Sequence, residues 1–167
     1  MGLDMYLKYR KSFHGFEHTS NPEEKAKYHN IIESAGLDGM VTNDSPFVDV
    51  EATVIYWRKA NAIHGWFVNE LAGGVDECQP ISVTREQLVK LRELCFEALS
   101  IPAGSSLQDH APTVLPPTPG FFFGSYDVDE WYVSDLERTM SEIDRLLPLL
   151  PVDGEGWDWG LVYQASW

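Results

Sequence analysis

Leu3, Met5 and Leu7 alternate with Asp4, Tyr6 and Lys8, the period of two imposed by a strand with one buried face, so the chain is expected to open on a β-strand. Val48, Val50, Ala52, Val54 and Tyr56 alternate in the same way with Asp49, Glu51 and Thr53 and predict a second strand. At Trp57 the period lengthens. Ala60, Ile63, Phe67 and Leu71 recur at helical spacing and predict a helix over 57–71, closed by Gly73 and Gly74 because glycine tolerates positive φ. Trp57, Asn61, His64 and Val68 are then its neighbouring stripe, since side chains three and four positions apart meet on one helix face. Between the two strands, the charged run after Pro22 predicts a short surface helix reaching Gly36, and the turn-forming residues of 36–46 a connection.

Thr84-Arg85-Glu86-Gln87 is a capping box that starts a helix with Leu88, Leu91, Cys95, Ala98 and Leu99 as its core face, and Ile81 and Val83 before it predict a short strand. Pro102, Pro112, Pro116, Pro117 and Pro119 predict an irregular stretch over 101–120, without regular helix. Asp127 and Glu130 are candidate caps for a last helix, in which Leu136, Met140, Ile143, Leu147 and Leu150 form an apolar stripe until Pro148 and Pro151 stop it. Trp159 to Trp167 reads as a closing strand. The expected fold class is α+β: one domain over 1–167, with a small, mostly antiparallel sheet that includes both terminal strands, packed with about three to four helices.

Composition narrows the function classes. Hydrophobic residues make up 44% of the 167 and aromatics 13%, enough for a sizeable core, and no apolar run approaches the length of a membrane span. The amino terminus lacks the layout of a secretory signal, and Tyr6 stands where a myristoylation motif needs Ser or Thr. Cys78 and Cys95 have no metal or redox spacing and are expected as reduced thiols, which together points to the cytoplasm. A net charge of −14 argues against direct binding of nucleic acid. Acidity is densest from Asp127 to Asp158, which supports two readings: a solvated helix face, or a nucleic-acid mimic that docks on a basic host protein.

Against that acidity, the segment from Tyr56 to Phe67 mixes cations, an amide and an imidazole among large rings, the recipe for a pocket wall that grips an anion. Trp57 or Phe122 is expected to stack, Arg58 and Lys59 to hold charge, and Asn61 and His64 to read polar edges of a nucleotide-like molecule. Phe122, Ser125 and Tyr126 follow as a glycine-containing loop near a helix start, and Tyr163, Gln164 and Trp167 place donors and rings at the other end of the chain. Asp4 or Tyr6 is expected to share a sheet face with Tyr163 or Gln164. His14 and His18 have an i, i+4 spacing, but Gly15 and Pro22 argue for a loop, so no metal is expected, and no cofactor motif is present. An enzyme using His64 as acid or base with an Asp or Glu partner is the alternative to simple capture, and a pocket shared between copies of a homo-oligomer is compatible with either.

Met1-Gly2-Leu3-Asp4-Met5-Tyr6-Leu7, Tyr56-Trp57-Arg58-Lys59-Ala60-Asn61-Ala62-Ile63-His64, Phe121-Phe122-Phe123-Gly124-Ser125 and Tyr163-Gln164-Ala165-Ser166-Trp167 resemble a family of small bacteriophage and prophage proteins. The resemblance implies a phage setting, in the host cytoplasm, and no particular mechanism. By analogy it favours a host-takeover protein, such as one that sequesters a nucleotide messenger of bacterial immunity.

Overall fold

The computed structural model describes residues 2–16, 21–41, 46–120, 122–152 and 158–167. Four strands form one antiparallel sheet in the order β2-β1-β4-β3, where β1 is Asp4–His14, β2 Phe47–Arg58, β3 Ile81–Val83 and β4 Trp159–Ser166. The two terminal strands are therefore the central pair, with Leu7 opposite Tyr163 and Tyr6 opposite Gln164. Strand alternation sends Leu3, Met5, Leu7, Leu161, Tyr163 and Ala165 to one buried face, which the helices cover. Tyr6, Lys8 and Gln164 stand on the other face, where Lys8 Nζ donates to Gln164 Oε1 at 3.2 Å. Tyr163 and Gln164 thus point to opposite sides, and only Gln164 shares the face of Asp4 and Tyr6.

Strand β2 differs from its sequence pattern at both ends. Its buried residues are Ile55 and Trp57, while Val50 and Tyr56, from the set expected on one face, are exposed. Two physical causes account for this. β2 is an edge strand with little above it, and the register shifts where Leu7 pairs with Ile55 but Lys8 with Thr53, so the unpaired Val54 turns the strand's phase. The Arg145 guanidinium donates to the carbonyl of Val54 at 2.8 Å. The strand also runs on to Arg58, so Trp57 and Arg58 are strand residues, and the expected helix over 57–71 begins only at Asn61.

Helix α1, Pro22–Ser34, starts on the Asn21 side chain, which accepts from the Glu23 amide, and seals the far end of the β1–β2 ribbon. Helix α2, Asn61–Trp66, is buried along its whole length and continues as a π-helical turn over Phe67–Leu71. Gly73 and Gly74 close it at φ 61° and 81°, and the Gly74 amide bonds the carbonyl of Val68, as expected. Helix α3, Arg85–Leu99, has the expected capping box on Thr84 and Gln87 and buries Leu88, Leu91, Cys95 and Ala98.

The stretch over 101–120 corrects the sequence reading, because it contains helix α4, Leu107–Val114, with Pro112 inside it. Proline removes one amide donor, but Ser106 caps the first turn through the Asp109 amide, and burial of Ala111 and Leu115 against the core offsets the loss. Helix α5, Glu130–Leu146, buries Tyr132, Leu136, Thr139, Ile143 and Leu146. Its cap is Asp129, whose carboxylate accepts from the amides of Trp131 and Tyr132, rather than Asp127. No helix among the described residues is long and apolar enough to cross a membrane.

Candidate functional site

Of the residues expected to share one pocket, Arg58, Lys59, Asn61 and Ser125 line one cavity and His64, Phe122 and Trp167 another, while Gln164 lines a depression on the opposite sheet face; helix α2 is the partition between the two cavities. Its first residues, Ala60 to Ile63, form one wall of a cavity of about 520 Å³ closed on the other side by α5. His64, Gly65 and Val68, one turn further on, line a second cavity of about 470 Å³. The loop before α5 is split in the same way: Gly124 and Ser125 face the first cavity, Phe122 and Phe123 the second. Asn61 holds that loop in place. Its Nδ2 donates to the carbonyls of Phe123 (3.2 Å) and Ser125 (2.7 Å), and its Oδ1 accepts from the Thr118 amide at 3.3 Å. With both donors and its oxygen engaged, Asn61 positions the walls instead of reading a ligand, which corrects its expected role.

Trp57 is also reassigned. It is 1% exposed, lies edge-on to Phe67, and donates Nε1–H to Thr139 Oγ1 at 2.9 Å, so it is core packing between β2 and α5 and offers no stacking face. Arg58 and Lys59 do reach the first cavity and are exposed at its rim. Lys59 has φ of 60°, in the left-handed region that non-glycine residues rarely occupy, and there the chain turns from β2 into α2. Among the described residues neither cation makes an ion pair, although Lys8, Arg10, Lys11, Lys27, Lys90, Arg92 and Arg145 all do. The rest of the rim is acidic and aromatic, from Asp127, Asp129, Asp135 and an indole at Trp131 that is 70% exposed. Trp131 carried no sequence signal beyond being aromatic at a helix start.

Two of those carboxylates are already engaged: Asp129 caps α5, and Asp127 bonds the Ser125 hydroxyl. Asp135 is half-buried, and desolvation lifts its carboxyl to about 6, with Asp129 adding to the rise and Arg138 opposing it. A folded-state value above the unfolded one means that, from 3.8 to about 6, the folded chain binds more protons at this site, so stability falls as pH rises through that window. Asp135→Asn removes this component. Its melting temperature relative to the parent therefore rises across the window, and a flat difference would rule out a desolvated acid there.

His64 is 1% exposed, and both ring nitrogens are occupied. A carboxylate only accepts, so Nε2 carries its proton toward Asp76 Oδ2 at 3.0 Å, and Nδ1 shares a hydrogen bond with the Tyr163 hydroxyl at 2.7 Å. Burial raises the Tyr163 phenol well above its ordinary range and keeps it a donor, and its ring stacks on Phe67 at 3.9 Å. Trp167 Nε1 donates to the other Asp76 oxygen at 3.3 Å. Of the remaining candidates, Tyr126 clamps both backbone groups of Gly120 through its hydroxyl, and Gln164 spans Lys8 and the carbonyl of Cys78. His14 ends β1, and His18 lies outside the described residues.

The acidic helix is partly compensated. Arg92 forks onto Asp144 at 3.0 and 3.1 Å, and Glu142 pairs with Arg145. Searches against protein-family models, curated proteins and solved structures find no match.

Proposed function

We propose that this is a noncatalytic small-molecule-binding protein whose ligand occupies the cavity between the amino end of α2 and helix α5. The observation that carries this reading is the pair Arg58 and Lys59, which make no ion pair among the described residues and stand at the mouth of a 520 Å³ cavity in a chain of charge −14. The ligand that fits is patterned at both ends. A phosphate or carboxylate sits between the two cations, a planar ring lies against Trp131, and an amine-bearing edge meets Asp135. A nucleotide with an exocyclic amine has that pattern. The resemblance to phage proteins supports the further reading that the molecule is sequestered as a counter-defence, in the host cytoplasm.

Capture is favoured over catalysis because His64, the candidate acid or base, spends both nitrogens on Tyr163 and Asp76. Calorimetric titration with adenine nucleotides, cyclic dinucleotides and ADP-ribose is expected to show saturable binding to at least one of them. Arg58→Ala with Lys59→Ala is expected to weaken it by at least about tenfold. The ligand is expected back chemically unchanged after long incubation. No heat with any of the three classes, or equal affinity in the double variant, would refute the assignment of this cavity.

A further inference from the structure

The second cavity has a different chemistry from the first. Phe122, Phe123 and Trp167 contribute three aromatic rings to its lining, Asp76 contributes a carboxylate, and among the described residues neither lysine nor arginine lines it. We propose that it binds an organic cation of the quaternary ammonium class, independently of the anion-gripping cavity on the other side of α2.

Aromatic faces carry negative potential, and a ring of them holds an alkylated ammonium without asking it to donate hydrogen bonds. The geometry here favours that type over a primary amine. Both oxygens of Asp76 are already directed, one to His64 and one to Trp167, so the carboxylate supplies charge more readily than a new directed bond. A primary ammonium would lose three strong bonds to water and recover few of them, whereas a quaternary one is weakly hydrated and gives up little. The bond from Trp167 Nε1 lies in the plane of its indole, which anchors the ring by its edge and leaves its faces unoccupied by that contact. Trp167 as a residue remains 44% exposed, with the Phe123 ring at 6.0 Å and 67° to its indole. Phe123 is in turn fixed by an edge-to-face contact with His64 at 4.9 Å. The cage is thus built from parts that hold one another, and the net charge of −14 favours arrival of a cation.

The test uses choline as the probe and 3,3-dimethyl-1-butanol, its uncharged analogue of the same shape, in titrations followed by calorimetry and by NMR of the indole protons. Choline is expected to bind saturably at millimolar concentration or below, and the alcohol at least about tenfold more weakly. Trp167→Ala and Phe122→Leu are each expected to weaken choline several-fold. Phe96→Ala, which removes an exposed ring from α3 that does not line the cavity, is expected to leave binding unchanged. The Phe122→Leu variant retains apolar volume, so a loss there reports the ring and not a collapsed loop, and its melting temperature checks the fold. Equal binding of choline and the alcohol, unchanged affinity in both ring variants, or no saturation by choline up to about 10 mM would overturn the proposal.

Discussion

Replacing Trp57 with alanine is expected to lower the free energy of unfolding by about 3–5 kcal/mol, the largest effect of any single substitution considered. The indole is 1% exposed, and truncating it opens a void between β2 and α5 that packed neighbours cannot fill. The loss has a polar part as well. Thr139, fully buried, accepts from Trp57 Nε1 at 2.9 Å and donates to the carbonyl of Asp135 at 2.6 Å, so without the indole its acceptor side is left unsatisfied. Trp57→Phe separates the two contributions, since it retains most of the volume and removes only the donor. Urea denaturation of both variants measures them, and a cost below about 1 kcal/mol for the alanine variant would mean that the indole does not join sheet to helix as described. Because Arg58 follows directly and α5 carries Trp131 and Asp135, weakening this joint is also expected to reduce ligand affinity in the first cavity.

Gly65→Ala is expected to cost about 1–3 kcal/mol, and the cause lies in a loop far away in sequence. A Cβ at Gly65 would overlap the Thr118 hydroxyl and lie 3.0 Å from the Thr118 Cβ, so the loop that shapes the second cavity would have to lift off α2. That loop is bound to the same helix by the Thr118 amide on Asn61 Oδ1, which resists the displacement. Thr118→Ala in the Gly65→Ala background removes the hydroxyl that clashes, and part of the stability is expected to return. The pair should therefore be non-additive in chemical denaturation. Strict additivity of the two substitutions would show that the glycine is not required by close approach.

Much of the architecture was legible because local chemistry and tertiary packing agree. The capping box at Thr84, the double glycine after Leu71 and the apolar steps of α5 each satisfy backbone or burial requirements within a few residues. The failures have the opposite origin. Pro112 argues locally against a helix that a capped first turn and burial of Ala111 support. Trp57 sits at a change of period, where an apolar residue suits the end of a strand and the start of a helix equally well. The strand extends because pairing with β1 continues through Met5 and Asp4. Of the expected pocket residues, Arg58, Lys59 and Ser125 meet in one cavity and His64, Phe122 and Trp167 in another, since Arg58 and Lys59 belong to the end of β2 and the turn after it and so do not share the helix face that carries His64. Asp76 and Trp131 carry no sequence mark of a site, because an acidic or aromatic residue in a loop or at a helix start has no local signature of its partner, and Asp135 is marked only as a member of the acidic stretch from Asp127 to Asp158.

The order of residues alone determined an acidic α+β chain with strands at both ends and a concentration of rings and cations after Val54. Periodicity, caps and net charge are properties that short range fixes. Only the folded chain decided that the imidazole is sealed between a phenol and a carboxylate, that the amide of Asn61 ties down a loop, and that two cavities of unlike chemistry stand back to back. These depend on which side chains arrive from 12 to 99 positions away, and long-range contacts of that kind leave no periodic trace in sequence.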